Sequence, residues 1–116
     1  MKKLTIAFDV DGTLIKDGAI NPQDMVPNPA IRDMLIALSG FKNVRIVVWS
    51  GGGKDWADAC VEQLDLKPYV KATYDKNLTA RDKDMHPIFM PEIVPDIAID
   101  DIHSCDLGKI NLIVNK

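Results

Sequence analysis

Leu4-Thr5-Ile6-Ala7-Phe8-Asp9-Val10-Asp11-Gly12-Thr13 begins as a short apolar run and ends in two carboxylates one residue apart. The run has the length and composition of a buried strand. Two acidic side chains at one strand tip repel each other, which is costly unless a cation or a reaction uses them. Gly12 permits a sharp turn and a close approach of the backbone to a ligand.

Working outward, three more apolar runs lead into polar clusters. Val44–Trp49 runs into Ser50-Gly51-Gly52-Gly53, the weaker Tyr69–Tyr74 into Lys76, and Ile97–Ile99 into Asp100-Asp101. Ile110–Val114 is a fifth run. Near-continuous apolar runs suit strands covered on both faces, as in parallel sheets. Between them, Ile31, Met34, Leu35 and Leu38 fall at helical spacing after Pro27-Asn28-Pro29, with Gly40 as a stop. Trp56, Ala59, Cys60, Val61 and Leu64 mark a second helical face, which Pro68 ends. This alternation predicts an α/β fold with a parallel sheet and right-handed crossovers.

Two segments break the alternation. Leu14–Ile20 reads as a small hairpin turning at Asp17-Gly18. Asn77–Pro95 is polar and proline-interrupted, with a short helix expected near Ile88–Met90.

The chain's 116 residues suit one domain spanning 1–116. A composition of 47% hydrophobic and 27% charged residues supports a real core and argues against disorder. A net charge of −3 with no basic block argues against a purely electrostatic nucleic-acid binder. Cys60 and Cys105 form no metal or redox motif and read as small core residues. No signal-peptide pattern and no membrane-length apolar stretch are visible, so a cytoplasmic protein without a membrane partner is expected.

In an open parallel sheet the carboxyl ends of the strands form one edge, where ligands bind. Asp9, Asp11, Asp100 and Asp101 would crowd four carboxylates there. An all-oxygen set without histidine or thiolate suits a hard divalent ion, Mg²⁺ first. Ser50 offers a hydroxyl, the glycines after it offer N–H groups to an anion, and Lys76 adds a point charge. The plainer alternatives are strand-end turns for the aspartates, a helix N-cap for Ser50 and a solvated Lys76. Lys71 and Lys83 compete for the role of active-site lysine. Trp49 and Trp56 read as core residues. His86 and His103 lack metal spacing, although His103 sits close enough after Asp101 for a rim position. Arg81, Lys83 and His86 read as a solvated loop, with a polyanion contact as the alternative.

The order Asp9-Val10-Asp11-Gly12-Thr13, Val48-Trp49-Ser50-Gly51-Gly52, Lys76, Ile99-Asp100-Asp101 resembles the haloacid dehalogenase (HAD) superfamily, in its small capless phosphatase branch. The resemblance implies a Rossmannoid three-layer sandwich around a five-stranded parallel sheet, with no cap domain. It implies Mg²⁺-dependent hydrolysis of a phosphomonoester through an aspartyl-phosphate. Asp9 would be the nucleophile, and Asp11 the general acid and then base. Ser50, Gly51, Gly12, Thr13 and Lys76 would hold the phosphoryl group. The Asp9 carboxylate, the Asp11 backbone carbonyl and Asp100 would hold the metal, with Asp101 acting through water or orienting the others. An uncapped site is open. It suits a sugar phosphate enclosed by oligomerisation, or the phosphorylated end of a polynucleotide or a phosphoprotein. A phosphate-binding module without catalysis is the remaining reading.

Overall fold

The computed structural model describes residues 2–102 and 106–115. Five parallel strands form the main sheet: β1 (Leu4–Asp9), β2 (Val44–Ser50), β3 (Ala72–Asp75), β6 (Ile97–Asp100) and β7 (Ile110–Ile113). Their order is β3-β2-β1-β6-β7, which puts β1 at the centre. Every residue of β1 is in register with β2, from Leu4 opposite Val44 to Asp9 opposite Trp49. On its other side, Ile6, Ala7 and Phe8 face Ile97, Ala98 and Ile99. Strand order therefore reverses beside β1, and its carboxyl end lies at the switch point of the sheet.

The helices α1 (Pro29–Ser39) and α2 (Lys54–Gln63) connect β1 to β2 and β2 to β3. Both crossovers step in the same direction along the sheet, so a common handedness puts both helices on one face. The core agrees: Ile6, Phe8, Ile46 and Val48 pack with Leu35 of α1 and Ala57, Cys60 and Val61 of α2. Ala7, Val47, Trp49 and Ala98 point the other way, where Ile93 and Leu107 pack on them. Among the described residues no helix covers that second face. The second helical layer of the three-layer sandwich expected from the resemblance is thus not seen among the described residues; the connection after β3 carries a strand pair instead.

Other expectations need local correction. Leu14–Ile20 is not a hairpin: Ile15 pairs with Pro27, and Lys16 N–H donates to Val26 O at 2.9 Å. Ile15 is fully buried whereas Ile20 is 83% exposed, so pairing with the chain entering α1 buries more than a two-residue turn would. Asn77–Pro95 carries no helix but an antiparallel pair, β4 (Leu78–Arg81) and β5 (Pro87–Phe89). β3 starts later than Tyr69, because Tyr69 and Val70 turn back to donate to Leu66 O. α2 stops before Pro68: Asp65 turns left-handed (φ 55°), and Leu66 N–H reaches back to Val61 O. Gly40 does end α1, but at φ −73°, so its left-handed freedom is not used. Cys60 is buried as expected; Cys105 and His103 lie outside the described residues. No helix of the described residues is long and apolar enough to cross a membrane.

Candidate active site

Side chains alternate along a strand, so Asp9 projects with Ala7, and Asp100 with Ala98. Lys76 follows β3 directly, held by its N–H donating to Ser50 O at 2.9 Å. Segments 24 and 67 residues apart in sequence therefore meet. Lys76 Nζ lies 2.6 Å from Asp9 Oδ1 and 2.6 Å from Asp100 Oδ2. All three are buried, with Lys76 at 1% exposure. Its ammonium also lies 5.1 Å from the Phe89 ring centre and 5.9 Å from that of Trp49. Lys71 and Lys83 are exposed and do not enter this cluster.

Asp9 Oδ2 accepts from the Thr13 hydroxyl at 3.2 Å. The turn that brings Thr13 back is wound tightly. Gly12 takes φ 78°, Leu14 N–H donates to Asp9 O, and Val10, Leu14 and Ile15 anchor the loop with no exposed surface. Asp100 Oδ1 accepts from the N–H groups of Asp101 and Ile102, at 2.8 and 3.2 Å. The Asp11 carboxylate faces another way and accepts from Trp56 Nε1 at 3.0 Å. Trp56, expected as a core residue, is half-buried and holds this acid.

Ser50 caps no helix. Gly53 takes that position at φ 110°, while Ser50 Oγ accepts from Gly52 N–H at 2.9 Å. Gly51 lies close under Phe89: a Cβ there would stand 3.0 Å from Phe89 Cε1. A cleft of about 390 Å³ opens over this floor, lined among others by Asp9, Asp11, Gly51, Lys76, Phe89 and Asp101. Gly12 instead lines a neighbouring pocket with Ile15 and Lys16, and the Thr13 hydroxyl is committed to Asp9. A larger hollow of about 530 Å³ beside α2 and β3 brings together exposed side chains such as Lys54, Asp58 and Lys67, with no buried ionic group. Volume alone does not select the site; the buried charges do.

Burial pushes the Asp9 carboxyl up to about 8, with Lys76 opposing the rise and Asp100 adding to it. Burial likewise raises Asp100 and Asp11, where the Trp56 hydrogen bond opposes it. For Lys76, burial works against the ammonium, but Asp9 and Asp100 outweigh it and raise its pKa. Lys76 is therefore charged. Beside this ammonium, oxygens of Asp9, Asp100 and Asp101 lie within 4.8 Å of one another. Two unit charges 4 Å apart interact by about 4 kcal/mol at the effective dielectric near a protein surface. In their ionised forms these carboxylates would repel one another, and as oxygen-only donors they fit a hard divalent cation. The Asp11 carboxylate is not in the group; the ligand assigned to Asp11 by resemblance was its backbone carbonyl.

No family model matches the chain, and no curated protein matches it. Among solved structures it is similar to a chain from the structure of a Pnkp1/Rnl/Hen1 complex, with 13% sequence identity and a TM-score of 0.64. The match covers 98% of this chain and 46% of the other, so this chain spans less than half of its neighbour's length. At that identity, the fold is what the two share.

Proposed function

We propose that the protein is a Mg²⁺-dependent phosphomonoesterase of the HAD type, working through an aspartyl-phosphate on Asp9. One observation carries the reading: Lys76 bridges Asp9 and Asp100 at 2.6 Å to each, at the carboxyl ends of the strands. A structural role alone does not explain it, since burying one ammonium among several carboxylates is seldom a net gain over apolar packing.

In this reading an Asp9 oxygen attacks phosphorus, and the bond from phosphorus to the leaving oxygen breaks. Asp11, protonated and held by Trp56, gives its proton to that oxygen. Its raised pKa suits the task. The resulting Asp11 carboxylate then takes a proton from water. The water attacks phosphorus, and the bond to Asp9 breaks to free phosphate. Lys76 and the Gly51 N–H, at the start of the Ser50–Gly53 turn, offset charge on the phosphoryl oxygens. Asp9, Asp100, Asp101 and the Asp11 backbone carbonyl would hold Mg²⁺, which supplies Lewis-acid stabilisation of the phosphoryl group.

The test is a phosphatase screen over aryl phosphate, sugar phosphates, nucleotides and phosphorylated oligonucleotides, with Mg²⁺ or a chelator. Turnover that needs Mg²⁺ and falls about 10³-fold or more in Asp9→Asn is expected. An Asp9→Asn protein with wild-type turnover would remove Asp9 from the mechanism. Phosphate binding without turnover of any substrate would favour the binding-module reading.

A further inference from the structure

The β4–β5 pair is folded against the site, and its register is irregular. Leu78 pairs with Phe89, Ala80 with Ile88 and Arg81 with Pro87, which leaves Thr79 as an extra residue on β4. Residues opposite each other in an antiparallel pair share a face, and residues two apart on one strand do too. Leu78, Arg81, Pro87 and Phe89 therefore all face one way, and those four residues line the cleft over Asp9 and Lys76. In a regular ladder Arg81, three residues after Leu78, would face away. The bulge re-aims it.

The pair is braced internally and meets the main body at Phe89. Phe89 rests on Gly51, where even a methyl group would stand 3.0 Å from the ring. Asn77 closes the base of the pair through two hydrogen bonds with Met90, and Asp82 N–H donates to His86 O across the tip. Met85 takes a left-handed φ of 66° in that tip, and its carbonyl accepts from Arg81 Nη1 at 3.0 Å. One donor of the guanidinium is thereby used, and four remain. Among the described residues no carboxylate pairs with Arg81. Of the side chains lining the cleft, Lys76 and Arg81 are the cations, and Lys76 is already held by Asp9 and Asp100.

From this geometry we infer that Arg81 is a specificity-determining residue that binds a second phosphoryl group, carried on the leaving group of the substrate. The inference rests on the phosphomonoesterase reading of the same cleft. A planar, five-donor guanidinium suits a phosphate at the rim, and the apolar wall of Leu78, Pro87 and Phe89 suits the sugar or base between the two phosphates. Two sources present that chemistry. One is the terminal nucleotide of a strand, with the adjoining phosphodiester; the other is a small bisphosphorylated metabolite.

The experiment measures kcat/KM for an aryl phosphate, 3′- and 5′-phosphorylated dinucleotides and a sugar bisphosphate. Wild type, Arg81→Gln and Lys83→Gln are compared. Wild type should prefer the best two-phosphate substrate over the aryl phosphate by about tenfold or more, the range of one charge-assisted contact. Arg81→Gln should lose that preference through KM, whereas Lys83→Gln, at an exposed lysine of the same tip, should keep it. The preferred substrate identifies the source. A wild-type ratio near one, or equal loss in both variants, overturns the inference. If even aryl phosphate is not hydrolysed, the phosphomonoesterase reading fails, and calorimetry with inorganic pyrophosphate against orthophosphate decides on Arg81. A pyrophosphate preference lost in Arg81→Gln supports the second site, and equal affinities overturn it.

Discussion

Lys76 is withdrawn from water together with Asp9 and Asp100, and removing one partner of such a group leaves the others buried and uncompensated. Lys76→Met should destabilise the metal-free protein by about 3–5 kcal/mol in denaturant unfolding. A loss under about 1 kcal/mol would mean that the two carboxylates do not depend on it. Trp56 tests a different contact. Trp56→Phe keeps most of the packing of this α2 side chain against the core but deletes the 3.0 Å hydrogen bond to Asp11. Losing that hydrogen bond should cost about tenfold in turnover of an aryl phosphate, with little change in melting temperature. Unchanged turnover would show that Asp11 does not need the indole.

The start of β6 is tied to β1 by a carboxylate. Asp96 Oδ2 accepts from Thr5 N–H at 2.8 Å, and Lys109 lies 3.5 Å from its other oxygen. The Thr5 hydrogen bond is the main cause holding Asp96 below the usual carboxylate range. A depressed folded pKa gives stability that is present above the unfolded value near 3.9 and is lost as pH falls through the folded one. Asp96→Asn should therefore lower the melting temperature at pH 7 and converge on wild type in strong acid. Equal losses at both pH values would contradict the assignment. Beside this same end of β6, Gly108, just ahead of β7, has no room for a side chain, since a Cβ would stand 2.8 Å from Ala98 N and 3.0 Å from Ile110 O. Both contacts are backbone, so Gly108→Ala must part the chain there, at about 1–3 kcal/mol.

These elements also show what a sequence makes visible. β1, β2 and β6 are legible because strands covered on both faces read as apolar runs, and Asp9, Ser50 and Asp100 follow from where those runs stop. β4 and β5 are not. The bulge at Thr79 breaks the alternation that marks a strand, and β5 opens on a proline and is three residues long. Trp56 and Phe89 escape for a different reason. An aromatic residue on an amphipathic helix or in a long connection looks like core, and only the folded chain shows the acid or glycine against it.

At the scale of the whole molecule, a site with more buried acids than cations should couple stability, pH and metal. The raised Asp9 pKa, near 8, means that the folded protein holds a proton which the unfolded chain gives up near 3.9. That contribution is fully present below pH 4 and is lost as pH rises toward 8. The metal-free protein should thus melt at progressively lower temperature from pH 5 to pH 8, and Mg²⁺ should raise the melting point most at pH 8. A Mg²⁺ effect that is absent, or greatest at pH 5, would contradict the placement of the cation among these carboxylates.

The claim at the centre is that Asp9 becomes phosphorylated during turnover. Acid-quenched single-turnover reactions with phosphorus-labelled substrate, followed by peptide mapping, test it directly. The account predicts label on the peptide holding Asp9, released by hydroxylamine as an acyl phosphate and absent from Asp9→Asn. Hydrolysis at full rate with no labelled protein, or with label on another residue, would contradict it.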